Sequence, residues 1–271
     1  MLIEAQKITH WINHFYGYGS WESRFWFVAF EEGGGDTPEE VADKFNYFFQ
    51  VHASGNTTGL CNIRDLYKQV RFRVDDPRAD LFDNLFDYRF GRHAVQHSSW
   101  KNLIAFTHGY QSKPLPDLLA YQQKSFAMPS AKNETLLRLY PLPAHNHAWY
   151  YSWLDLPGLP FLKTRSAYEE YVFPNRIQHL LTRIKECKPE VVVMYGMKNI
   201  NKLKQSIQSY YPGTAFKMVK VVKQEIPQHH LATLPGTTLI LTTQIPQLRH
   251  NRIETGFDWE KLGRSIRTVG I

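Results

Sequence analysis

"RFWFVAFEEGGGDTPEE" (Arg24–Glu40) is the stretch on which the fold turns. Its core, "FWFVAF", is apolar without alternation, so both faces of this strand should be covered, as they are inside a parallel sheet. Thr37 then offers a cap, Pro38 suits the first helical position, and Glu40 stands where a capping box places a carboxylate. Glu31 to Asp36 therefore read as the turn from the carboxyl end of a strand to the start of a helix. Open α/β sheets bind their ligands at such turns. Glycines let the backbone approach a ligand closely, and free N–H groups near a helix start attract anions. "EGGG" fits neither a dinucleotide fingerprint nor a P-loop. Two adjacent carboxylates at a sheet edge repel each other, so at least one of Glu31 and Glu32 has a cationic partner or a chemical task.

Working outward, five segments read as strands: Phe25–Glu31, Thr135–Tyr140, Glu190–Tyr195, Ala215–Val222 and Thr237–Thr243. "EVVVMYG" and "TTLILTT" are short and rich in β-branched residues, as buried parallel strands are. Between them, "RIQHLLTRIKECKP" sets Ile177, Leu180, Leu181 and Ile184 on one helical stripe, with Pro189 marking the end. Ile200, Leu203 and Ile207 make a second stripe, and "DWEKLGRSIRT" a third behind Asp258 as cap. Strands alternating with helices predict an α/β fold, a three-layer α/β/α sandwich around a mostly parallel central sheet, in a single domain. Residues from about 50 to 130, rich in Asp, Arg, Asn, Phe and Tyr, read as a largely helical insertion between the first two strands.

The chain has 271 residues, of which 43% are hydrophobic, enough for a sizeable core and far from a disordered composition. It has no apolar run of the ~18 residues that a membrane span needs, and its N-terminus lacks the pattern of a signal peptide. Cys61 and Cys187 are the two cysteines, far apart in sequence, which fits a reducing cytoplasm rather than a disulfide framework. The formal charge of +7 favours a polyanionic partner such as DNA. "HWINH" (His10, His14) and "HAVQH" (His93, His97) each place two histidines four apart, on one face if helical. Neither has the glutamate of the HExxH pattern, so no metal site and no cofactor are expected.

The order of these elements resembles the uracil-DNA glycosylase superfamily. In that superfamily the first strand ends in a short motif of the type glycine–any–acid-or-amide–proline–glycine, and "VAFEEGGG" occupies that place. "LLRLYPLP" (Leu136–Pro143) stands for the strand leading into a proline-rich segment, and "IKECKPEVVVMYG" is similar to the helix, lysine-proline, strand and glycine that follow. "TTLILTTQIPQLRHNR" (Thr237–Arg252) takes the position of the last strand with its histidine–proline–serine motif and intercalating loop. Three departures from the pattern matter. Ala29 and Glu32 replace the first glycine and the proline of the first motif, Ile245-Pro246 stands for histidine-proline, and Arg138 and Tyr140 occupy the region of the uracil-reading asparagine.

The resemblance implies a monofunctional DNA glycosylase, monomeric and without a cofactor, acting on an altered base bulkier than uracil, such as a modified cytosine of phage DNA. By position it makes Glu31 the water-activating or charge-stabilising group, with Glu32 as the alternative or as its partner. It implies that the N–H groups of Gly33 and Gly34 hold an oxygen of the base or a phosphate, and that His250 and Asn251 hydrogen-bond the leaving base or a phosphate. Gln247, Leu248 and Arg249 would form the wedge that enters the duplex when the base is flipped out. Phe30, Trp149 or Tyr150 could stack on the flipped base, and His145 follows the second strand at the same sheet edge. Two other readings stay open: a phosphoesterase or nucleotide-processing enzyme holding Mg²⁺ on Glu31, Glu32 and Asp36, and an inactive DNA-binding module.

Overall fold

In the computed structural model, which describes residues 3–33, 37–55, 59–144, 149–154, 156–220, 225–247 and 256–269, the described strands join in a single sheet. They are β1 (Gly17–Tyr18), β2 (Phe25–Glu31), β3 (Leu60–Cys61), β4 (Glu134–Tyr140), β5 (Val191–Tyr195), β6 (Lys217–Val219), β7 (His229–Leu234) and β8 (Thr237–Leu241). Their order is β3-β1-β4-β2-β5-β8-β7-β6. The four central strands β4, β2, β5 and β8 are mutually parallel, while β1 pairs antiparallel to β4, and β7 and β6 extend the other edge antiparallel. The fold is thus mixed α/β around a mostly parallel sheet.

The helices among the described residues are α1 (Ala5–His14), α2 (Pro38–Ala53), α3 (Ile63–Gln69), α4 (Leu85–Phe90), α5 (Ser98–Tyr110), α6 (Leu118–Lys124), α7 (Arg165–Cys187), α8 (Ile200–Tyr210) and α9 (Trp259–Val269). β2 explains why its sequence does not alternate. Phe25 and Phe27 meet Tyr110 and Phe106 of α5, at ring separations of 5.3 and 5.8 Å. Trp26, on the opposite face, packs on Trp21 at 5.2 Å, and Trp21 in turn meets His179 of α7. Helices therefore cover both faces of the strand, and Phe25, Trp26 and Phe27 are fully buried.

The expected start of α2 is present: Thr37 Oγ1 accepts the N–H of Glu40 at 3.2 Å, and Pro38 opens the helix. One expectation needs correction. Of the segment 215–222, the described residues 215–220 form only the short edge strand β6, because they are half or fully exposed and alternate poorly. The segment from about 50 to 130 carries α3 to α6, and it also lends the two-residue β3, which pairs with β1 at the sheet edge. Sequence reading also passed over β7, whose hairpin partner β8 follows a two-residue Pro235-Gly236 turn with Gly236 at φ +83°. That dipeptide between apolar runs was the available signal.

Glu134, the first residue of β4, is fully buried, and its Oε1 accepts from Tyr121 Oη at 2.9 Å and Asn133 Nδ2 at 2.8 Å. Burial pushes its carboxyl up from 4.5 to about 7, against hydrogen bonds from Tyr121, Asn133 and Thr107 that lower it. A folded-state pKa above the unfolded one gives stability that is complete below the unfolded value and lost as pH rises through the folded value. Between pH 5 and 8 the parent should therefore lose thermal stability that Glu134→Gln, neutral throughout, retains. The difference in the fall of the melting midpoint should be on the order of 5 °C. Identical slopes in the two proteins would show that this carboxyl does not titrate in that range.

Candidate active site

Among the four parallel strands, β2 is followed along the chain by β4 on one side of it and β5 by β8 on the other, so the carboxyl ends of β2 and β5 flank the switch point of the sheet. A cavity of about 490 Å³ opens there. Its floor is built from the strand ends and the residues just beyond them: Ala29 to Gly33 at the end of β2, Arg138 in β4, Tyr195 and Gly196 at the end of β5, and Ile245 and Gln247 after β8. Gly196 is the glycine this junction needs. It sits at φ +69°, and a Cβ there would lie 3.3 Å from Ile245 Cγ1.

Glu32 is only 1% exposed, and its partners come from three elements. Tyr18 of β1 donates its hydroxyl to Oε1 at 2.7 Å, and Arg138 of β4 donates Nε to Oε2 at 2.6 Å. Lys44 of α2, with no exposed side-chain surface, places Nζ 3.9 Å from Oε1 of Glu32 and 3.3 Å from Oε1 of Glu40, and donates to the carbonyl of Gly33 at 3.3 Å. Burial opposes the charge on Lys44, but Glu40 and Glu32 outweigh it and hold the ammonium above the ordinary lysine range. Arg138 is itself fixed. Its Nη1 donates to Leu137 O at 2.9 Å, and its own carbonyl accepts Nη2 of the buried Arg176 at 2.6 Å.

Glu31 occupies the rim and is half-buried. Its Oε2 takes a hydrogen bond from Nη2 of Arg165, the first residue of α7, while no partner is found for Oε1 among the described residues. Arg165 also reaches Glu169 at 3.1 Å, Glu169 lies 3.6 Å from Lys198, and Lys198 stands 4.3 Å over the ring of Phe30. The far wall comes from the 50–130 insertion: Tyr67 of α3, Arg89 of α4, and His97 and Trp100 at the start of α5. Among the described residues, the lining holds five cations (Lys44, Arg78, Arg89, Arg138, Lys198) against three carboxylates (Glu31, Glu32, Glu40).

Of the residues marked out in the sequence, Phe30, Glu31, Glu32, Gly33 and Gln247 meet in this cavity. Gly34, His145, Leu248, Arg249, His250 and Asn251 lie outside the described residues. Trp149 is not among the lining residues. Its indole N–H donates to Leu162 O at 2.7 Å, and its ring packs on Tyr151 and Tyr168, so it is part of local packing rather than a platform in this cavity. A Cβ on Gly33 would meet nothing within 4 Å, so close packing does not demand glycine there. His93 and His97 do not share a helix face: they lie before α5, which His97 caps. His10 and His14 pack with His52, but among the described residues no three His, Cys, Asp or Glu side chains are placed to hold a metal ion.

Sequence reasoning missed Lys44, Tyr18, Tyr67, Arg89 and Trp100, and noted Arg138 only as a substitute. Two signals were available. Lys44 interrupts the apolar stripe of Val41, Phe45 and Phe48, and Arg138 interrupts "TLLRLY", a strand buried throughout. Comparison with family models, with curated proteins and with solved structures finds no match to this chain.

Removing Arg138 strands a buried carboxylate, whereas removing Arg24 opens an exposed pair with Glu190. Arg138→Met should therefore cost about 3–5 kcal/mol in denaturant unfolding and Arg24→Met at most about 1 kcal/mol. Equal losses would mean that Glu32 is solvated in the folded protein.

Proposed function

We propose that this chain is a metal-independent DNA glycosylase, a divergent member of the uracil-DNA glycosylase superfamily, that hydrolyses the bond between deoxyribose and an altered base. A modified cytosine such as those of phage DNA is the substrate class that the departures from the uracil-reading pattern favour, by analogy with the superfamily. One observation carries the reading: Glu31 sits at the rim of a nucleotide-sized cavity at the sheet's carboxyl edge, and one of its carboxylate oxygens has no partner among the described residues. Glycosidic cleavage passes through a sugar cation and leaves negative charge on the base. A carboxylate beside the anomeric carbon orients water and stabilises the cation, and cationic donors across the cavity accept the charge on the base.

In this mechanism the two glutamates divide the work. Glu31 keeps Oε1 for water while Arg165 fixes its other oxygen. Glu32 has both oxygens bound and is buried, so it acts as a positioning residue that holds Arg138 and Lys44 in the wall. The surplus of cations in the lining and the net charge of +7 favour a polyanionic substrate. They also weigh against the Mg²⁺-dependent alternative, since both carboxylates already face guanidinium or ammonium groups that a divalent cation would have to displace.

The test incubates the protein with natural, uracil-containing and heavily modified phage DNAs in excess chelator, followed by detection of abasic sites. Abasic sites should form in one of the altered DNAs, and Glu31→Gln should slow their formation by about 10²–10⁴-fold with the fold intact. Abasic sites in none of the three, or formation that the chelator abolishes, would overturn the reading.

A further inference from the structure

The wall of the cavity opposite the glutamates has its own organisation. Gln122 of α6 is completely buried and uses three hydrogen bonds to tie together the backbone around that wall. Its Oε1 accepts the N–H of His97 at 2.9 Å, and its Nε2 donates to the carbonyls of Arg89 at 2.7 Å and Val95 at 3.2 Å. A buried amide satisfied in this way fixes Arg89 and His97 relative to each other.

Both side chains line the cavity, and the polar atoms they have left to offer are donors. Nδ1 of His97 accepts the backbone N–H groups of Ser99 at 3.1 Å and Trp100 at 3.4 Å, so the ring proton resides on Nε2. The ring is stacked on Trp100 at 4.4 Å and 10°, which fixes its plane. Burial, then Arg89 and Arg138, push the imidazole down to about 3, so His97 stays a neutral N–H donor across the physiological range. Arg89 lies over the Tyr88 ring at 4.2 Å and gives one N–H to Val95 O at 3.2 Å, and among the described residues no carboxylate pairs with it. Burial lowers its pKa, and the neighbouring Arg78 adds a smaller push in the same direction. A half-buried guanidinium without a counter-ion is a cost that an anionic ligand would offset.

We propose that Arg89 and His97 form an oxyanion subsite that Gln122 preorganises, and that the ligand of this cavity carries a phosphate or carboxylate group bound there. The inference deepens the glycosylase reading and rests on it for the identity of the ligand. Two sources supply the same chemistry: a nucleotide phosphate, or an acidic substituent on the base.

Calorimetry on the full chain separates the sources, with deoxycytidine 5′-monophosphate, 5-carboxydeoxycytidine and plain deoxycytidine as probes. Binding of the monophosphate assigns the subsite to the phosphate, and binding of the carboxylated nucleoside assigns it to the base. In either case plain deoxycytidine should bind at least about tenfold more weakly. Arg89→Met keeps the packing stem, and His97→Asn keeps a helix cap while removing the Nε2 donor. Each should weaken the anionic probe about tenfold, with unchanged circular dichroism and melting midpoint, whereas Arg24→Met, a charge control at the opposite end of the sheet, should bind as the parent does. Equal binding of all three probes, or anion binding unchanged in both Arg89→Met and His97→Asn, would overturn the proposal. If either variant proves unfolded, Arg89→Lys, which keeps the charge and loses the planar fork, decides by the same measure. Base release without anion binding would sink the subsite and spare the glycosylase reading, and anion binding without base release would do the reverse.

Discussion

The organisation of this molecule depends on one buried carboxylate. Glu32 leaves β2 at the point where the parallel sheet ends and is met by a hydroxyl from β1, a guanidinium from β4 and an ammonium from α2. Buried ion pairs add little net stability because desolvation consumes most of the Coulomb gain. What such a cluster supplies is geometry, since any other arrangement of these elements leaves a charge without a partner. Arg138 gains a second constraint from Arg176, which reaches the carbonyls of Phe15, Arg138 and Leu139 at once and so ties the end of β4 to the segment after α1. The cavity floor is therefore held by charges and hydrogen bonds as well as by apolar packing.

The neighbour of Glu32 has a different fate for a simple reason. Successive side chains of an extended segment point to opposite sides. Glu32 points toward Lys44 and Arg138, which leaves Glu31 toward the start of α7 and the cavity rim. Mutual repulsion of the two acids, evident from their adjacency, is relieved by separate cations. This leaves Glu31 half-buried, paired with Arg165 and with one oxygen that has no partner among the described residues, which is the condition a water-orienting carboxylate requires.

Much of the fold was legible in the sequence because its central strands are buried on both faces. "FWFVAF", "EVVVMYG" and "TTLILTT" carry no alternation to misread, and Ile177, Leu180, Leu181 and Ile184 of α7, Leu203 and Ile207 of α8 and Trp259, Leu262 and Ile266 of α9 are buried at helical spacing. The edge strands were harder to read. β1 and β3 have two residues each, too short for any periodicity, and β6 is largely exposed. The strand-end acids were legible as a site because like charges at a sheet edge require an explanation. Their partners were not, because Tyr18, Lys44, Arg138 and Arg165 are spread over nearly 150 positions and converge only through the topology. The one local sign was a charged residue inside an apolar pattern, and such residues are informative because burial without a partner is so costly.

The insertion completes the cavity and changes its character. The strand ends supply acids and their counter-ions in near balance. The insertion supplies Tyr67, Arg89, His97 and Trp100, which are aromatic faces and donors. It is also braced independently of the sheet: Arg64 reaches the carbonyls of Gln122, Gln123 and Phe126, and its guanidinium lies over Phe90 at 4.4 Å. A rigid wall built from one chain segment can change its donors and volume without disturbing the charge cluster that holds Glu31 in place. Under the glycosylase reading, reactivity belongs to the sheet edge and selectivity to the insertion, and a cavity wider than an unmodified pyrimidine needs follows from adding a wall rather than from reshaping the floor.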